Sequence, residues 1–363
     1  MRVLRLLAGP VALRHLRDHG LRPGHVGAVP GAAGGPKALV LNALDRLIFG
    51  RWLAGGSQPV HLAGASIGAW RLACACLPDP QAALAELAHD YVHETYGEPD
   101  AVRRPSPAQV SATFRAQLAR QFGGREAQVL AHPRLRLHVF ASRGRSVLLD
   151  GGGRLRTAAG CLGAFGANLV SRRAMGGWFE RVVFSDPRDP LPWSLGDYPT
   201  HRVALGPDNL AASILASCSI PFWLDPVRDI RGAPPGAYWD GGLTDYHLHL
   251  DYASMSATAA APLVLYPHFQ PEVVPGWLDK RLRRRHRATR ALDNLVLLVP
   301  APEWIRTLPG GRIPDRGDFA AWRGDAAGRM AAWRRVVAEG ERLAEAFDAI
   351  ASRPGGVQAE PLV

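Results

Sequence analysis

Lysine is almost missing from these 363 residues: Lys37 and Lys280 are the only two, and arginine supplies the rest of the 43 basic side chains. Cysteine is scarce as well. Cys74, Cys76, Cys161 and Cys218 lack the paired spacing of a zinc site or a disulfide framework, so neither is expected and a reducing compartment is the simplest fit. No run approaches the ~18 uncharged apolar residues of a membrane-spanning helix, which leaves only peripheral contact with a membrane. The apolar piece at residues 6–13 is broken by Gly9-Pro10 and has no convincing cleavage site, so no signal peptide is read there. Internal repeats are absent too.

Apolar residues, by contrast, make up 47% of the chain, enough for a packed core in one large domain or two ordinary ones. The net charge of +11 is concentrated: residues 280–290, opening on Lys280 and closing on Arg290, hold seven basic side chains and no acid, and removing those seven leaves +4. The run has no interleaved aromatics, so no nucleic-acid partner is expected. A solvated helix face is its plain reading. Among functional readings, attraction to anionic phospholipid headgroups is preferred.

One stretch organises the rest. Residues 60–63, Val-His-Leu-Ala, read as a strand entering Gly64-Ala65-Ser66-Ile67-Gly68, and small and apolar residues then continue as a helix to about residue 77. A serine on a strand-to-helix turn, with elbow glycines Gly64 and Gly68 two residues to either side, is the arrangement of a nucleophile elbow. Upstream, residues 25–29 read as another strand, followed by the glycine-rich loop at 30–36 and a helix whose apolar stripe is Val40, Leu41, Leu44, Leu47 and Ile48. Strand, loop, helix, strand, elbow and helix make a βαβ unit with both loops at one sheet edge, where open α/β sheets bind ligands.

Farther on, the segment 79–124 reads as helical, with 80–93 and a piece capped by Ser106-Pro107 and running to Phe122. Residues 135–141 and 146–149 read as paired strands, 181–184, 202–205, 263–266 and 295–299 as further strands, 207–219 as a helix and 318–351 as one long amphipathic helix. The segment 161–179 reads equally as a lid or acyl-chain wall and as core packing, and Phe165, Trp178 and Trp223 are the bulky residues expected to shape a pocket.

Three separated pieces, Ala33-Gly34-Gly35-Pro36-Lys37-Ala38, Gly64-Ala65-Ser66-Ile67-Gly68, and Ala216-Ser217-Cys218-Ser219-Ile220-Pro221 followed by Asp240-Gly241-Gly242, together resemble the patatin-like phospholipase family over about residues 25–250. The resemblance implies a three-layer α/β fold, a central mostly parallel sheet flanked by helices, with a catalytic domain at 25–300 and a mainly helical C-terminal extension at 301–363. It also implies a serine lipid acyl hydrolase without a cofactor, acting on acyl lipids; the cysteine usage points to the cytoplasm and the basic run Lys280 to Arg290 to peripheral contact with an anionic membrane. Ser66 is then the nucleophile, Asp240 its base, and Gly34 and Gly35 the oxyanion hole. Lys37, a support of that loop, stands where the family usually has arginine, and Ala38 where it usually has glycine.

Rivals are weighed for each role. Asp150-Gly151-Gly152 repeats the Asp-Gly-Gly motif but reads as a hairpin turn. A Ser-Asp-His triad would take Ser66, Asp186 or Asp240, and His247, His249 or His268. The pair His247 and His249 lacks a third ligand signature, so no metal is expected. A catalytically silent lipid-binding protein of the same fold is the remaining alternative.

Overall fold

The computed structural model describes residues 1–96, 104–255, 261–353 and 356–363. Its strands are β1 (Leu4–Ala8), β2 (Val26–Gly31), β3 (Val60–Ala65), β4 (Leu135–Gly144), β5 (Phe179–Ser185), β6 (Thr200–Ala204), β7 (Val227–Arg228), β8 (Ala237–Asp240), β9 (Leu263–Pro267), β10 (Leu295–Pro300) and β11 (Glu360–Pro361). They form one sheet in the order β11-β1-β10-β9-β2-β3-β4-β5-β6, with the β7-β8 pair branching from β4. The centre, β10-β9-β2-β3-β4, is parallel throughout, while β1, β5 and β8 run antiparallel to their neighbours β10 and β4. Every residue of β2, β3, β9 and β10 is buried. Helices must therefore cover both faces, which is why these strands read as unbroken apolar runs.

The result is the mostly parallel, helix-flanked α/β architecture that the sequence implies. The helices Pro80–His93 and Pro107–Phe122 begin where their caps predict: the Asp79 side chain accepts the Ala82 N–H, and Ser106 and Gln109 form a reciprocal capping box. Of the helical stretch 79–124, residues 97–103 lie outside the described residues.

Three expectations change. Residues 146–149 do not pair as a strand; Val147–Leu149 is a single 3-10 turn leading into the helix Arg154–Val170, because β4 takes β3, β5 and β8 as partners. The long C-terminal helix is three, Asp318–Ala321, Ala326–Glu339 and Glu341–Ala351, which break around Gly324 and Gly340. Residues 280–290 contain no α-helix, only the short turn Arg283–Arg285 and the start of another at Arg290–Leu292. β1 pairs with β10 and with β11, so segments before residue 25 and after residue 300 join the same sheet. Among the described residues, no helix is long and apolar enough to cross a membrane.

Candidate active site

The site forms where β2, β3 and β8 reach the same edge of the sheet. Ser66 ends β3 with φ 56° and ψ −131°, a left-handed conformation that a side-chain-bearing residue adopts at a cost of about 1–3 kcal/mol. The helix Ile67–Ala75 starts immediately after it. What holds the turn is close backbone packing. A Cβ on Gly68 would sit 1.9 Å from the Gly31 carbonyl oxygen, and one on Gly64 would sit 2.4 Å from the Ala69 Cα, so both positions tolerate only glycine. The helix is anchored in turn by Arg71, whose Nε and Nη2 each donate to buried Asp45 at 2.7 Å.

The end of the helix Pro207–Cys218 ties three segments together. Ser217 Oγ accepts the Ser66 N–H at 2.7 Å and donates to the Phe140 carbonyl of β4 at 2.6 Å. Its own carbonyl accepts the Gly241 N–H at 3.0 Å, and that of Ser219 accepts the Asp240 N–H at 2.9 Å. The Ser-to-Pro motif thus fixes the Ser66 turn and the Asp-Gly-Gly turn to one scaffold. Sequence reasoning included Ser217 in a motif without assigning it this role.

With both turns fixed, Ser66 Oγ donates to Asp240 Oδ2 at 2.7 Å, while Asp240 Oδ1 accepts the Gly242 N–H at 2.7 Å. Both side chains are buried. Burial raises the Asp240 carboxyl to about 6, against the opposing pull of its hydrogen bonds from Ser66 and Gly242 and of the charges on Arg316 and Lys280. Beside them the Cys218 thiol is buried and pushed well up, so it stays neutral.

The glycine loop supplies a third component. Ala33 N–H donates to the Tyr246 carbonyl at 2.9 Å, but among the described residues the N–H groups of Gly34 and Gly35 have no protein acceptor. Gly35 has φ 57°, and a Cβ on Gly34 would meet the Phe269 ring at 2.7 Å. Gly34 borders the recess over Ser66; Gly35 lines the neighbouring cavity toward Asp45 and Arg71. Lys37 is outside both linings and lies over the Phe269 ring, 5.1 Å from its centroid. Burial lowers its pKa, opposed by Asp315 and Glu272.

Ala33, Ile220, Pro221, Leu243, Tyr246, Trp277 and Arg316 complete the recess, which is small and open to solvent. Lys280 lies over Tyr246, 4.1 Å from the ring centroid, and over Trp277 at 5.7 Å. Partial desolvation, followed by the nearby charges of Lys37 and Arg316, pulls its pKa down to about 7. None of Lys37, Lys280 and Arg316 has an ion-pair partner among the described residues. The expected wall residues lie elsewhere: Trp178 packs against Gly163 in the outer helix, and Trp223 lines a separate cavity with Arg104 and Phe319. Phe165 is also outside the recess lining.

Asp150 and the histidines are engaged elsewhere. Asp150 Oδ1 accepts the Gly152 N–H and its Oδ2 accepts from Arg156 Nη2 at 3.1 Å, in an exposed turn. Asp186 pairs with Arg188. His247 Nδ1 is held between the Glu272 carbonyl and the Val274 N–H, His268 Nδ1 by the backbone of Gln270, and His249 by Thr289 Oγ1. Burial lowers all three, His249 to about 4 and His268 to about 3. His247 and His249 fall in a non-strand segment with different partners.

A serine on a strained strand-to-helix turn, bonded to a buried aspartate beside free backbone N–H groups, defines an α/β protein of the nucleophile-elbow kind. The chain belongs to the patatin-like phospholipase family, whose profile matches residues 32–248. No curated protein matches it. Among solved structures, VipD from Legionella pneumophila is similar over 88% of this chain and 67% of its own, at 11% identity and a TM-score of 0.33. Human GIVD cytosolic phospholipase A2 is similar over 93% of this chain and 61% of its own, at 11% identity and a TM-score of 0.42. The chain therefore spans about two thirds of the length of these structures.

Proposed function

We propose that the protein is a serine lipid acyl hydrolase that cleaves carboxylic esters of phospholipids or lysophospholipids with Ser66 and Asp240 alone. The 2.7 Å bond between Ser66 Oγ and Asp240 Oδ2 carries this reading. A hydroxyl is a poor nucleophile until a base in hydrogen-bond reach takes its proton, and a carboxylate raised to about 6 is a better base than a solvated one.

In the first half-reaction Asp240 takes the Oγ proton as Oγ attacks the ester carbonyl carbon. Negative charge then gathers on the carbonyl oxygen, where the free N–H groups of Gly34 and Gly35 would receive it. Collapse expels the alkoxide, which takes the proton from Asp240 and leaves an acyl-serine. Water, deprotonated by the same carboxylate, attacks that ester and releases the fatty acid. The dipole of the helix Ile67–Ala75 puts its positive end at the reacting serine. Arg316 in the recess lining, with Lys280 over the lining residues Tyr246 and Trp277, supports a substrate with a phosphate near the scissile ester.

A fluorophosphonate probe and an ester panel test the reading together. Wild type is expected to be labelled and to hydrolyse lysophospholipid; Ser66→Ala loses both, Asp240→Asn loses hydrolysis, and Asp150→Asn keeps it. Folded protein that takes no label would instead identify a silent lipid binder, and loss of hydrolysis in a His247 or His268 variant that remains folded would restore the triad.

A further inference from the structure

The helix Arg154–Val170 is inside out. Between Arg156 and Arg172 its sequence holds no charge and two conspicuous polar side chains, Thr157 and Asn168, and both are buried. Thr157 Oγ1 donates to the Gly153 carbonyl, and Asn168 Nδ2 donates to Asp279 Oδ1 at 2.8 Å. The large apolar residues face outward instead: Leu155 is 88% exposed, Leu162 70% and Val170 81%, and Val147 in the preceding turn is 72% exposed. Their spacing of seven and eight residues keeps the three helix positions on one stripe. A surface helix of a protein bathed only in water shows the opposite arrangement, and single exposed leucines do not produce such a stripe.

The basic run meets the end of this helix. Arg285 Nη1 donates to Asn168 Oδ1 and Nη2 to the Asn168 carbonyl, while Arg285 also pairs with buried Asp279 at 2.7 Å. One arginine of the run is thereby spent as an anchor. Arg281, Arg283, Arg284 and Arg287 remain exposed, and among the described residues none has an ion-pair partner. Arg173, next to the end of the helix, is likewise exposed. Trp277, which borders the recess, joins this region through the turn Trp277–Asp279 that packs on the helix.

We propose that the outward stripe of the helix Arg154–Val170 and the arginines of residues 281–287 form one docking face for an anionic lipid bilayer, with the leucines entering the acyl boundary and the arginines meeting headgroup phosphates. An apolar stripe edged by free cations is the surface chemistry of interfacial helices. The proposal adds a partner to the lipid hydrolase reading and rests on that reading for its purpose. The recess over Ser66 is too small to hold a two-chain lipid, so much of such a substrate would stay outside it.

Binding is measured with Ser66→Ala, so that vesicles are not consumed and failure of the catalytic reading leaves the measurement intact. The protein is floated with vesicles of phosphatidylcholine alone or with one third phosphatidylglycerol, at low and high salt. Binding to the anionic vesicles is expected to exceed binding to the neutral ones at least tenfold and to weaken with salt. Leu155→Glu combined with Leu162→Glu should lower it at least tenfold, as should Arg283→Ser combined with Arg284→Ser and Arg287→Ser. In the Ser66 background both sets should keep turnover of a soluble short-chain ester and the light-scattering mass of a monomer. Unaltered flotation of the leucine variant would overturn the proposal. A dimer in wild type that the leucine variant dissociates would also overturn it, by making the stripe a self-contact.

Discussion

Asp240 sets how the site should respond to pH. With Asp240 as the base, as proposed above, kcat/KM is expected to fall tenfold per unit as pH drops below about 6, and a pH–rate profile on a soluble ester checks this. A profile flat down to pH 4 would remove Asp240 from that role. The same shift acts on stability. An aspartate raised from 3.8 to about 6 holds its proton more tightly in the folded protein, so wild type loses up to about 3 kcal/mol as pH rises from 4 to 8. Relative to wild type, Asp240→Asn should therefore gain by about that amount over the same interval, whatever constant offset the altered bond to Gly242 brings. Urea unfolding at the two pH values measures the difference. The placement of Ser66, Asp240 and Gly34 at one recess could be read from the sequence because each sits in a short motif whose backbone needs are local. Arg316, Tyr246 and Trp277 could not. They reach the recess only when distant segments close over it, and one arginine among so many carries no mark of its place.

Elements were legible where their ends announce themselves. Ser106-Pro107 marked the start of one helix, and the structure adds Gln109 as the other half of its capping box and Asp79 as the cap of the helix before it. Residues 146–149 misled because three adjacent apolar residues have no period that separates strand from turn. The C-terminal tail misled because its helical pattern continues across glycines at which the chain breaks. Ser217 joins three elements, and Ser217→Ala would orphan the buried Ser66 N–H and Phe140 carbonyl at a cost of about 1–3 kcal/mol. Since that N–H fixes the nucleophile turn, kcat should fall at least tenfold with little change in KM. Steady-state kinetics beside chemical denaturation will show whether the loss is catalytic as well as structural; a variant that is destabilised yet retains full kcat would contradict the positioning role.

For the whole molecule, the C-terminal helices belong to the core of the fold: Phe347 and Leu343 are fully buried, Trp333 nearly so, and Phe347 meets Trp52 edge to face at 5.1 Å. Phe347→Ala should cost about 3–5 kcal/mol in urea unfolding. A cost below 1 kcal/mol would mean that these helices only lean on the sheet. The pairing of β1 with β10 also has a meaning for synthesis. Its two partners are separated by roughly 290 residues, so at about 5–20 residues per second a ribosome takes roughly 15–60 s to make the second after the first. For that interval the opening strand is an unpaired apolar edge on a nascent chain, a natural client for a chaperone.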